Sequence, residues 1–97
     1  MADYPFAAEA LLPDLKLDLG ISARIFDGRL QARLKTAMER IAAEGVTLTD
    51  SENDRDLVLM YAAWLWRSRV TGDAMPRMVR SALNNRVFHD AAGGGAP

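Results

Sequence analysis

Asp50, Glu52, Asp54 and Asp56 stand at alternate positions and form the densest cluster of potential ligands in the chain. Alternating acids are the pattern of a calcium loop, which also needs Gly at its sixth position and a bidentate Glu at its twelfth. Counted from Asp50, those positions hold Arg55 and Tyr61. The same acids precede an apolar helix, where the helix dipole favours negative charge, and that accounts for them without a metal. His89 is the only histidine and there is no cysteine. A catalytic imidazole needs a nucleophile and an orienting partner, and nothing in the sequence marks either. Nucleophile-elbow, phosphate-loop and dinucleotide motifs are absent. The expectation is a protein that is not an enzyme and that uses no cofactor and no metal.

Arginine is the other chemistry-bearing residue. Residues 1–56 carry eleven acidic and seven basic side chains, whereas residues 64–89 hold Arg67, Arg69, Arg77, Arg80 and Arg86 against one acid, Asp73. Arg presents a planar fork suited to carboxylates and interfaces, unlike the point charge of Lys. A net charge of -1 and a pI near 5.7 do not describe a general nucleic-acid binder. The Arg set can equally reflect a compositional bias of the coding sequence.

These residues are positioned by a small all-α domain. Ninety-seven residues make one domain with a modest core. The centre is LVLMYAAWLW, residues 57–66, ten apolar residues in a row. It is too short to span a bilayer, which takes about 20 apolar residues. A helix with no polar face must be covered by other elements or by another chain. Four helices are expected, over 8–19, 24–44, 52–70 and 76–88. The second starts at Ala23 or Asp27 after a Ser22 cap, and the third is opened by a Thr49–Glu52 capping box. Gly20, Gly45 and Gly72 are the expected stops, and Pro76 opens the last helix. Tyr4, Pro5 and Phe6 form an aromatic anchor, and residues 46–51 a loop.

Leu30, Leu34, Met38 and Ile41 repeat at helical spacing and are the expected core, with Leu57, Tyr61, Trp64 and Leu65 from the central helix. Met75, Met78, Val79, Ala82 and Leu83 form the apolar side of the last helix. Trp64 and Trp66 point about 200° apart on a helix, so one is core and the other faces a neighbouring helix or subunit. Trp66, with Met60, is placed on the uncovered side. Residues 91–97, AAGGGAP, are read as an extended tail beyond a helical domain of residues 1–90. The N-terminus lacks the basic start of a secretory signal, and no membrane partner is expected. A helix-turn-helix reading, for a small DNA-binding regulator, is the alternative. It would make the most apolar helix the recognition helix, which needs polar side chains at base edges.

DLVLMYAAWLWRSR (residues 56–69) and then TGDAMPRMVRSALNNRVF (71–88) resemble the small head-tail connector, or adaptor, proteins of tailed phages. The resemblance lies in Tyr61-Ala62-Ala63-Trp64 ending in Arg67 and Arg69, a short turn, and Met75-Pro76 opening a helix that closes with Leu83-Asn84-Asn85-Arg86. With the opening LLPDLKLDLGIS it covers roughly residues 8–90. It implies a helical subunit of a dodecameric ring in the virion neck, assembled in the host cytoplasm. That ring docks on the portal protein, meets a stopper or tail-completion protein, and lets genomic DNA pass without sequence reading. By this likeness the portal-binding segment is Val87, Phe88, His89, Asp90, Ala91, Ala92, Gly93, Gly94, Gly95, Ala96 and Pro97. Subunit contacts are assigned to Trp66, Arg67, Arg69, Arg77, Arg80 and Arg86, facing the acidic half of a neighbouring copy.

Overall fold

The apolar run lies inside a helix held at both ends by polar backbone chemistry. A computed structural model describes the backbone of residues 4–94 and the side chains of residues 4–90. Its elements are α1 (Ala8–Leu19), a single 3-10 turn (Arg24–Phe26), α2 (Asp27–Ala43), α3 (Glu52–Thr71) and α4 (Arg77–Gly94). The chain is thus all-α, with four helices and no strand among the described residues.

α1, α2 and α3 pack on one another, and α4 lies chiefly along α3. The floor of the core is the stripe of α2: Leu30, Leu34, Ala37, Met38 and Ile41 are all buried. Leu57, Val58, Tyr61, Ala62, Leu65 and Trp66 of α3 meet it, while Leu11, Leu12 and Leu15 come from α1 and Val79 and Leu83 from α4. Each such fully buried aliphatic side chain contributes about 1.5–3 kcal/mol. Phe6 is buried as an anchor, with the Arg55 guanidinium 5.9 Å from its ring centre.

Gly20 closes α1 in the left-handed conformation (φ 70°). Its N–H donates to the Leu17 carbonyl and that of Ile21 to the Lys16 carbonyl, the paired bonds that satisfy a helix C-terminus. No side chain caps the 3-10 turn or α2, so Ser22 does not have the capping role expected of it. The cap of α3 also differs. Ser51 is the N-cap, its hydroxyl oxygen accepting from the Asp54 N–H at 3.2 Å. The Thr49–Glu52 box does not form, because the Thr49 hydroxyl donates to the Asp54 carboxylate instead. α4 starts at Arg77 and runs to Gly94, six residues beyond its expected end at 88. Ala91 and Ala92 are good helix formers, and Arg86 pairs with Asp90 one turn on, so nothing stops the helix at Phe88.

Three burial assignments are corrected. Trp66 is buried at 5% exposure, whereas Trp64 is half-buried at the edge. The reason is direction. Trp66 points at the entry to α2, where Phe26 meets it edge-on at 5.5 Å. Trp64 points towards the α3–α4 turn, where its indole N–H donates to the Asp73 carbonyl at 3.1 Å. Met78 is 72% exposed, since the buried side of α4 is set by Val79, Leu83 and Arg86, and Met78 stands about 100° away from Val79.

Candidate functional site

The strongest polar constellation lies where α4 meets the start of α3. The helix pattern places Asp54 on the inner side of the first turn of α3, one turn before Leu57 and Val58. It is buried at 1% exposure, and no other charged side chain among the described residues is buried. Its carboxylate accepts four hydrogen bonds: Thr49 N–H (2.7 Å), Thr49 O–H (2.9 Å), Arg86 Nε (2.7 Å) and Arg86 Nη2 (3.1 Å). The two Arg86 contacts are the bidentate fork that only arginine can offer. Arg86 also donates from Nη2 to the Thr47 carbonyl at 2.8 Å and from Nη1 to Asp90. Asp90 closes the ring by accepting the Thr47 N–H at 2.8 Å.

One guanidinium therefore joins three pieces of chain, namely the residue 46–51 loop, the first turn of α3 and the body of α4. Burial pushes the Asp54 carboxyl up, but the hydrogen bonds from Arg86 and Thr49 outweigh it and the net shift is below the ordinary carboxylate value. Asp90 is lowered first by the Thr47 N–H and then by Arg86. The hydrogen bond to Asp54 is the largest influence raising Arg86, which burial opposes. All three groups are charged at neutral pH, and the constellation is a clasp: nothing in it is poised to transfer a proton.

Two grooves open along the α3–α4 seam, the first beside the clasp and the second by the α3–α4 turn. One, of about 600 Å³, is lined by Asn53, Asp56, Leu57, Met60, Ala82, Asn85 and His89 beside Asp54 and Arg86. The other, of about 610 Å³, is lined by Met60, Ala63, Trp64, Arg67, Met78 and Val79 near Asp73 and Pro76. Met60, half-buried, belongs to both, so the expectation of an uncovered side at Met60 locates a real valley, though Trp66 is no part of it. Thr49, Ser51 and His89 all line the first groove, but the two hydroxyls bond to each other and to Asp54, and no hydrogen bond joins either of them to His89 among the described residues. No group of three or more His, Asp or Glu side chains that could hold a metal occurs among the described residues, and of the alternating acids Asp54 turns inward while Asp50, Glu52 and Asp56 are exposed.

The arginines assigned to subunit contacts fall into different environments. Arg86 is consumed by the clasp, with its side chain 16% exposed, and is corrected from interface to internal tie. Arg69 lies over the buried Trp66 ring, 3.6 Å from its centre, and donates to the Trp66 carbonyl. Arg80 pairs with Glu44 at 3.2 Å on the surface, and Arg67 makes one long bond of 3.4 Å to the Asp18 carbonyl. Arg77 is exposed and has no ion pair among the described residues. Of the segment assigned to portal binding, Val87 packs on the core, Asp90 is in the clasp, and Phe88 (74% exposed) and His89 face outward. The side chains of Ala91, Ala92, Gly93 and Gly94, and the whole of Gly95, Ala96 and Pro97, lie outside the described residues.

Sequence reasoning missed the clasp because Asp54 reads as one of four solvated acids. A signal was present, since Asp54 sits three residues before Leu57 and four before Val58 and so shares their inward face. No family model matches the chain, and neither a curated protein nor a solved structure matches it.

Proposed function

We propose that the chain is a structural subunit of a phage head-tail connector, a helical ring component that joins the portal to the stopper or tail and extends the DNA channel. What supports the reading is a coincidence between the resemblance and the packing. Three of the residues that carry the likeness, Trp64, Leu83 and Arg86, help fix α4 on α3. Trp64 ties the turn through Asp73, Val79 and Leu83 pack inward, and Arg86 locks the clasp. A ring subunit needs such a fixed angle between helices, because small angular errors accumulate around a closed ring of copies. Under this reading the protein works by holding shape, without catalysis, and many weak contacts per ring add up through avidity.

The DNA-regulator reading is disfavoured by α3. The second helix of its motif must offer a polar face to the groove, whereas α3 buries nine residues over its length. The test is imaging of particles that contain the chain. The expected result is density for a ring of copies at a single vertex, between capsid and tail. Particles that show no ring of the chain at a vertex, or that carry it over the whole shell, refute the proposal.

A further inference from the structure

With Arg86 internal and Arg80 paired, α4 keeps Arg77 as its free arginine among the described residues, and the larger positive stripe lies on α2. Arg29, Arg33 and Arg40 recur at spacings of four and seven, which puts them within about 40° of one another around the helix and along about 16 Å of its length. None of the three has an ion pair among the described residues, and Ile25, 82% exposed, stands just ahead of the stripe. The seam between α1 and α3 has the opposite character. Asp14, Asp18, Glu52 and Asp56 line a shallow groove of about 280 Å³ with Leu17, which is 79% exposed. Arg55 is the one cation among the residues lining it, and none of the four carboxylates is in an ion pair.

We infer that the acidic α1–α3 seam of one copy receives the arginine stripe of α2 from a second copy, with Leu17 and Ile25 as the apolar contacts of that interface. The two faces are different surfaces of one chain, so the contact is heterologous and each copy keeps one face free for the next. Four unpaired carboxylates against the exposed Arg29 and Arg40, with the half-buried Arg33 between them, is a complement the isolated chain leaves unused, and such complementarity sets register and speeds encounter. A second copy is favoured over nucleic acid because the full chain carries a net charge of -1 and the acidic seam repels phosphate. This inference specifies the subunit contact of the proposed ring. It rests on that reading for its closure alone.

The test is sedimentation of the full chain and of two charge-reversed forms, Arg29→Glu/Arg40→Glu and Asp14→Lys/Asp18→Lys. The wild type is expected to self-associate in a salt-sensitive way, and each variant to do so about 100-fold more weakly. Circular dichroism checks that each variant is folded. Mixing the two variants pairs each reversed face with a partner of opposite charge, so the mixture is expected to recover association. A wild type that stays monomeric, variants that associate like wild type, or a mixture that stays monomeric overturns the inference. So does duplex DNA retention that Arg29→Glu/Arg40→Glu abolishes while association is unchanged. Association through these faces by a protein absent from phage necks would instead sink the connector reading and leave this contact standing.

Discussion

Replacing Arg86 with Met keeps the aliphatic stem against the core and removes the fork. Asp54 is then left buried, holding two of its four hydrogen bonds, both from Thr49. Removing one partner of a buried pair costs about 3–5 kcal/mol. The low end, about 3 kcal/mol, applies here because Thr49 still solvates the carboxylate and the Arg86 side chain is 16% exposed. For a domain near 100 residues, 1 kcal/mol moves Tm by about 4–8 °C, so the expected drop is roughly 12–24 °C. Thermal unfolding followed by circular dichroism at pH 7 measures it. The pH dependence has a definite sign. Asp54 is lowered in the folded chain, so its contribution is fully present above the ordinary carboxylate pKa of 3.8 and is lost as the pH falls through the folded value. In Arg86→Met the carboxyl titrates higher, since burial keeps its effect and the main lowering partner is gone. The gap between variant and wild type therefore narrows in acid. A Tm drop under about 5 °C, or a gap that stays constant from neutral pH into acid, refutes the clasp as an energetic tie.

Three other outcomes are expected. Leu83→Ala, at a side chain with 0% exposure, costs about 2–5 kcal/mol in denaturant unfolding; a cost under 1 kcal/mol means α4 is not packed on α3. Gly72→Ala costs about 1–2 kcal/mol, because the residue sits at φ 68° and an added Cβ meets nothing within 4 Å, leaving the backbone penalty alone; an unchanged Tm would mean α3 does not end in this cap. Acrylamide quenches the fluorescence of Trp66→Phe, which retains the edge residue Trp64, more strongly than that of Trp64→Phe, which retains the buried Trp66. The reverse order would contradict the two indole placements.

The helical class, the order of four helices and most of the core were legible in the sequence. Leu30, Leu34, Met38 and Ile41 fix one inward stripe by spacing alone, and Gly20 and Gly72 mark the ends of α1 and α3 because left-handed backbone favours residues without a Cβ. These features depend on local geometry, which a one-dimensional pattern encodes. The tertiary structure decided what depends on partners far away in the chain. Trp64 and Trp66 are equally apolar on paper, and only the arrival of Phe26 and of the Asp73 turn made one core and the other edge. Asp54 and Arg86 are 32 positions apart, and no periodicity links them. LVLMYAAWLW had to be surrounded, since a helix with no polar face cannot stand in water. What surrounds it, α1 and α2 closely and α4 through Val79, Leu83 and the Arg86 clasp beside an open valley, was set by how three amphipathic stripes could share one helix.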